Sequence, residues 1–205
     1  MRVYQLFLTL SLAALAGCAA SAPSSVRHTS PFPSAIALLP LENQSLDLRA
    51  PEILRELLDT YLSAANFNLT DVAEADEKIR GLGISEGGQL NAVKPQKLGG
   101  LLEADALLYG DIETFNNANI GVYASRTVKV RLWLVDVKTG ATLWETEKSK
   151  ANSQLGLSKA AAKDILIKGY ANKAVENIAD NPLYPESEDV ARQLSRELGK
   201  ARRDW

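Results

Sequence analysis

The sequence predicts an α/β fold: a mixed sheet in two or three layers with flanking helices, a β-α-β start, an antiparallel C-terminal hairpin and two C-terminal helices. Three observations predict it. The apolar run Ala35-Ile36-Ala37-Leu38-Leu39-Pro40 reads as a strand buried on both faces, and an amphipathic helix follows it. Val128, Val130, Leu132 and Leu134 alternate with Lys129, Arg131, Trp133 and Val135, the period of a half-buried antiparallel strand. Beyond the hairpin the apolar spacing changes to three and four residues, which is helical.

Each element follows from local chemistry. Residues 18–34, rich in Ala, Ser and Pro, form a tether with no core of its own. After the first strand, Glu42-Asn43-Gln44-Ser45 turns the chain. Pro51 then sits in the first turn of a helix, where a missing N–H costs nothing, and Glu52 lies near the positive helix end. Ile53, Leu54, Leu57, Leu58, Tyr61 and Leu62 give that helix one apolar face. Phe67 to Val72 alternates and predicts a strand that completes a β-α-β unit, for which a right-handed crossover is preferred. Ala73 to Arg80 is a short charged helix, Gly81 to Gln89 a glycine-rich loop, and Lys94 to Glu103 a helix leading into a strand over Ala106 to Ile112.

Asp136-Val137-Lys138-Thr139-Gly140 is the turn of the hairpin, with Gly140 suited to a left-handed bulge position, and Ala141 to Lys148 is the returning strand. Ser158 can cap a helix running to about Ala179. Asn181-Pro182-Leu183-Tyr184-Pro185 stops it, and Ser187 begins a last helix. Val190, Leu194 and Leu198 form a narrow apolar seam on that helix. Such a seam either folds onto its own domain or meets a neighbouring chain, so these three residues are a candidate interface.

Bulk composition narrows the function classes. The 205 residues carry 23 basic and 25 acidic side chains, so nothing in the charge favours nucleic acid. There is one cysteine, Cys18, and one histidine, His28. Arg2 and the apolar run Leu6 to Ala16 have the layout of a secretory signal, too short to span a bilayer, which needs about 20 apolar residues. The run ends in Leu15-Ala16-Gly17-Cys18, which resembles the lipobox of bacterial lipoproteins. That resemblance implies cleavage before Cys18 and lipid attachment to its sulfur, the nucleophile at the cut site. An ordinary signal peptide with an incidental cysteine is the alternative. With Cys18 acylated no thiol remains for a disulfide or a metal site. Ala19 follows the cysteine; by resemblance to enteric lipoproteins, where aspartate there signals inner-membrane retention, the outer membrane is favoured.

Leu98-Gly99-Gly100-Leu101-Leu102-Glu103-Ala104-Asp105-Ala106-Leu107-Leu108-Tyr109-Gly110-Asp111 resembles lipoproteins related to the curli-secretion channel subunit, which also pass from a helix through Ala-Asp-Ala into an apolar strand ending in Gly. The hairpin Leu134 to Trp144 is similar to theirs and, loosely, to that of TolB-like proteins. Overall the chain resembles a Gram-negative lipoprotein family known from a neisserial genome-derived surface antigen, over residues 35 to about 183. The resemblance implies a periplasmic α/β domain held at the outer membrane and working in a transport or secretion assembly, and it brings no active site. Curli-channel subunits add membrane-spanning hairpins. Here Glu145 to Lys150 is charged on both faces, so a pore wall is not expected.

Chemistry-bearing residues are sparse. His28 lies in the tether, where general acid–base work lacks rigid placement. Gly81 to Gly88 has the wrong spacing for a dinucleotide loop and follows a helix rather than a strand. Asp71, Glu74, Asp76 and Glu77 lack calcium-loop spacing and read as a solvated helix start. Asp105, Asp111 and Glu113 flank an apolar strand without a defined pairing. Trp133 and Trp144 are expected to face each other across the hairpin or pack beneath a helix rather than form a sugar platform. Lys200, Arg202 and Arg203 read as a frayed, solvated helix end rather than a lipid contact.

The expected organisation is a removed signal peptide at 1–17, the lipidated Cys18 and tether at 18–34, the α/β domain at 35–183 and a C-terminal helix at 184–205. The expected function is a non-enzymatic, periplasm-facing outer-membrane lipoprotein without cofactor or metal, partnered by the membrane and by itself or other envelope lipoproteins. A lipid- or glycan-binding module is the second reading.

Overall fold

A sheet of long antiparallel strands, joined at one edge by short parallel ones, organises the molecule. The computed structural model describes residues 31–120, 123–155 and 181–205. Among these, the strands are β1 (Ile36–Leu38), β2 (Glu42–Asn43), β3 (Ala106–Ile120), β4 (Tyr123–Asp136) and β5 (Thr142–Leu155). The helices are α1 (Ala50–Ala64), α2 (Val72–Arg80), α3 (Pro95–Leu102) and α4 (Tyr184–Arg203), with a 3-10 turn at Gly87–Ala92. The open sheet runs β1-β3-β4-β5, and β2 also pairs with β3. β1 and β2 are parallel to β3, whereas β3, β4 and β5 are antiparallel. The expected mixed α/β class is therefore the observed one, in three layers.

The apolar periodicities assign the layers. Ile53, Leu54, Leu58 and Leu62 of α1 join Val190, Leu194 and Leu198 of α4 on one face of the sheet, against Ile36, Leu38, Leu108, Ile112, Val130, Leu132 and Leu134. Each such side chain contributes about 1.5–3 kcal/mol on leaving water. On the other face, Ala75 and Ile79 of α2 and Leu98 and Leu102 of α3 cover Ala37, Leu39, Leu107, Tyr109 and Val135. β1 is covered on both sides, as its continuous apolar run predicts.

The strand expected over Phe67 to Val72 shrinks to one bridge, Leu69 beside Ile36. Ile36 N–H donates to Asn68 O and Thr70 N–H to Ile36 O, both at 3.0 Å. The strand stops there because Asp71 caps α2: its carboxylate accepts from Glu74 N–H at 2.8 Å, drawing Val72 into the helix. The β-α-β start survives in this minimal form. Conversely, the three antiparallel strands extend past the expected limits, β3 by eight residues to Ile120 and β5 by seven to Leu155. Their outer halves are polar on both faces and carry no period-two apolar signal.

Two bulges tune the register. Ile112 faces Val130 but Thr114 faces Lys129, so Glu113 is the extra residue and Phe115 continues the apolar face of Ile112. At the other end Leu134 faces Trp144 and Val135 faces Thr142, leaving Leu143 extra. The turn between them is built as the sequence suggests: Asp136 Oδ1 accepts from Thr139 N–H and Oγ1–H at 2.7 Å, and Gly140 takes φ +73°.

Register decides between the two arrangements expected of the tryptophans, which do not face each other but pack on the helix-covered sides. Trp133 pairs with Tyr109 and Glu145, while Trp144 pairs with Leu134, so the two indoles lie on opposite faces. Trp133 joins the α2/α3 side and Trp144 the α1/α4 side.

The helix expected over Ser158 to Ala179 lies outside the described residues. α4 begins three residues before Ser187, with Pro185 in its first turn rather than acting as a stop. Leu183 N–H donates to Asn181 Oδ1 at 2.8 Å and Tyr184 N–H to Asn181 O at 2.9 Å, setting its entry. α4 is continuous to Arg203, so its C-terminal end is not frayed. Val190 and Leu194 are 0% exposed and Leu198 1%. The candidate interface seam is therefore consumed by the chain's own core, because α4 packs flat on α1 and the sheet. Ion pairs fix its polar flank: Lys148 Nζ to Glu197 at 3.4 Å, Lys150 Nζ to Asp189 at 3.0 Å and Arg126 Nε to Glu186 at 3.4 Å. Phe32 to Trp205 forms one compact unit.

Candidate functional site

Cys18 and its neighbours Leu15, Ala16 and Gly17 lie outside the described residues, as does His28. Within the described residues, the chemistry concentrates on the half of the sheet that α2 and α3 leave open. Tyr109 and Trp133 mark its border, stacked across β3 and β4 with ring centres 5.6 Å apart and planes 8° apart. The Arg131 guanidinium lies 5.2 Å above the indole. Beyond the border the same face is a lattice of charges. Lys129 Nζ sits 2.7 Å from Glu113 and 3.1 Å from Glu147, and Arg131 Nε 2.7 Å from Glu145. The Lys129 ammonium holds the Glu113 carboxyl below its usual range, and Glu113 in turn raises Lys129. These are half-exposed pairs, worth little individually but fixing the side chains as a flat polar surface.

Asp111 departs from that pattern. Burial pushes its carboxyl up, and the neighbouring Glu42 charge adds to this. Glu42 faces it directly in the parallel β2–β3 register, and Asp111 Oδ1 is buried with no hydrogen-bond partner. Asn91 Nδ2 donates to Glu42 at 3.1 Å.

The acidic residues singled out from sequence are not brought together. Asp105 accepts from the Ser34 hydroxyl and from Ala35 N–H, contacts that lower its pKa, Ser34 the more strongly. Asp111 pairs with Glu42, and Glu113 with Lys129. Asp71 caps α2, Glu74 pairs with Lys78 at 2.8 Å, and Asp76 binds Arg55 at 2.6 and 2.8 Å. Among the described residues no group of three or more His, Cys, Asp or Glu side chains is placed to hold a metal. No helix among them is long and apolar enough to cross a membrane.

Sequence reasoning missed two features. Arg55 is buried on α1 and donates to Leu38 O at 2.8 Å as well as to Asp76, tying the end of β1 to α2. It forms the floor of a crevice of about 390 Å³ lined by Pro40, Leu41, Pro51 and Val72 and rimmed by acidic side chains. The signal was a lone arginine inside an apolar helix face. The second is the loop before α1, where Leu46 is 100% and Leu48 90% exposed. The loop is braced, not loose: Asn43 Oδ1 accepts from Ser45 N–H and from the Ser45 Oγ hydroxyl at 3.0 and 2.7 Å, and Asn43 Nδ2 donates to Asp47 O at 2.9 Å. A rigid loop presenting two leucines to water is a contact feature.

Fold and surfaces together define a mixed α/β domain in which, among the described residues, three layers leave half of one sheet face, a leucine-bearing loop and an outer strand uncovered. Comparison with known proteins gives the family: residues 24–202 match the profile described as "Putative lipoprotein GNA1162-like", and the chain belongs to that family. It is 26% identical over 166 residues to the lipoprotein NMB1124/NMB1162 of Neisseria meningitidis serogroup B, covering 79% of this chain and 74% of that one. The crystal structure of lipoprotein GNA1162 from Neisseria meningitidis is similar in fold, with TM-score 0.56 and 23% identity, over 69% of this chain and 97% of that one. So is the protein CT253 from Chlamydia trachomatis, with TM-score 0.50 and 12% identity, over 83% and 98%.

Proposed function

We propose that this chain is a lipid-anchored, periplasm-facing outer-membrane lipoprotein that serves as a non-enzymatic structural or assembly component of an envelope transport or secretion complex. The observation that carries the reading is the match to a lipoprotein family over residues 24–202, in a chain whose one cysteine stands at Leu15-Ala16-Gly17-Cys18. Placement is the mechanism. Acyl chains on Cys18 hold the domain at the membrane, each buried methylene contributing about 0.8 kcal/mol, and more than one chain makes the attachment firm. The residue after the cysteine, Ala19, favours the outer membrane, and the resemblance of Leu98 to Asp111 to curli-channel lipoproteins favours a secretion assembly.

Partner binding falls to the open surfaces. β5 is the outer strand of the described sheet, and an antiparallel edge of this length can pair with a second copy or with another envelope lipoprotein. Leu46 and Leu48 supply apolar contacts.

Radiolabelled palmitate should enter the wild-type protein and not the Cys18→Ala variant, and globomycin should accumulate the precursor. Cross-linking in native membranes followed by pull-down should recover envelope partners or a second copy. Absence of label and of any processing change overturns the anchor, and a purely monomeric cross-linking pattern overturns the assembly role. The crevice over Arg55 supports a second reading, a binding module for a small apolar or glycan ligand, since its volume lies at the lower end of ligand pockets. A small molecule retained in native mass spectrometry of protein taken from its host membrane would favour that reading.

A further inference from the structure

The chain enters the domain at Phe32, and what surrounds that point is basic. The Phe32 ring stands 5.1 Å from Trp205 and 6.0 Å from Phe67. Arg202 lies over Phe67 at 4.1 Å and donates to Asn66 O and Ala65 O at 2.9 and 2.8 Å. The entry point, the end of α1 and the end of α4 thus converge. Between the two helix ends runs a groove of about 610 Å³, walled by the small residues Ala64, Ala65, Ser195 and Gly199 and edged by Arg192, Arg196, Lys200, Arg202 and Arg203.

Two helix C-termini attract cations for their own sake, so the charges need accounting. Arg202 satisfies the α1 carbonyls, Arg192 pairs with Asp189, and Lys200 pairs with Glu197 at 3.0 Å. Arg196 and Arg203 are exposed and make no hydrogen bond or ion pair among the described residues. They stand seven residues apart on α4, two turns on the same side, about 10 Å. Both line the groove, and among the described residues neither guanidinium is used by the fold.

We propose that this groove is an anionic-phospholipid docking surface, with Arg196 and Arg203 binding lipid phosphates and so orienting the domain on the membrane that carries its anchor. Phosphate matches the planar donor fork of arginine. The stretch from Cys18 to Phe32 spans at most about 50 Å even when fully extended, so an acylated Cys18 keeps the groove within reach of the membrane surface. The inference rests on the reading that Cys18 is acylated, and its test does not.

The mature chain carrying Cys18→Ser is sedimented with vesicles of phosphatidylcholine, with or without 30% phosphatidylglycerol, at low salt. Binding is expected to the anionic vesicles alone and to fade at high salt. Each exposed arginine should account for about 5-fold in affinity, so the double variant Arg196→Gln/Arg203→Gln should bind about 25-fold more weakly. Neither side chain has a hydrogen-bond or ion-pair partner among the described residues, so the double variant should keep its thermal midpoint. Arg49→Gln/Lys94→Gln removes equal charge elsewhere and should bind as the parent. Equal partition onto both vesicle types, no sedimentation with either, or an unaffected Arg196/Arg203 variant overturns the proposal. Full competition by millimolar inorganic phosphate also overturns it, by revealing a soluble-anion pocket. Palmitate labelling reports the anchor separately, so the two failures are distinguishable.

Discussion

Replacing Leu194 by Ala separates a core helix from an interface helix. Leu194 is 0% exposed and lies among α1, α4 and the sheet, with Leu58, Leu62 and Val190 in the same cluster. Truncation removes the transfer energy of the lost methyl groups and leaves a cavity, together about 2–5 kcal/mol for a fully buried leucine. Against a total stability of about 5–15 kcal/mol that is a large fraction. For a domain of this size each kcal/mol shifts the midpoint by about 2–4 °C, so the melting temperature should fall by about 4–20 °C. Thermal denaturation followed by circular dichroism measures this, with light scattering on the same samples. The mass of the folded state should not change. An unaltered midpoint with a changed mass would refute the core assignment and return Val190, Leu194 and Leu198 to an intermolecular role.

Other perturbations probe the opposite face and the titrating groups. A Cβ on Gly99 would meet the Val137 methyls at 2.3 and 2.4 Å, so Gly99→Ala should lose about 1–3 kcal/mol, and Val137→Ala in the same chain should restore most of it. Asp111 has a folded-state pKa above its unfolded value, so its contribution is present at low pH and lost as pH rises through the folded pKa. Asp111→Asn should therefore gain stability relative to wild type as pH rises above the unfolded carboxyl's range, about 4, as followed by urea melts. Asp105 has the opposite sign, its contribution being present above the unfolded pKa and lost as pH falls through the lowered one. Asp105→Asn should cost about 1 kcal/mol near neutrality, after allowance for solvent at Ser34, and almost nothing once acid protonates the wild-type carboxyl.

The sequence was most legible where burial imposes a period. Ile53 to Leu62 and Val128 to Leu134 announce their elements because one face of each must leave water. Pro51 and Gly140 mark their places because their backbone restrictions are local. Legibility failed where pairing, not burial, supplies the order. Asn116 to Ile120 and Ser149 to Leu155 are strands because a neighbouring backbone accepts and donates, and no side-chain alternation records that. Phe67 to Val72 alternates as a strand should, but the Asp71 cap overrides it after Thr70. The open charged face was hidden for a related reason: Glu113, Lys129 and Glu147 are far apart in the chain, and only the cross-strand register, shifted by the Glu113 bulge, brings them together. Arg55 escaped notice because its partners Asp76 and Leu38 O depend on how α2 returns across β1.

The contact between Phe32 and Trp205 carries a practical corollary. An affinity tag or fluorescent reporter fused behind Trp205 emerges against the Phe32 ring, at the edge of the groove proposed to meet phospholipid. A label near Lys138, in the exposed turn between β4 and β5, leaves that junction undisturbed.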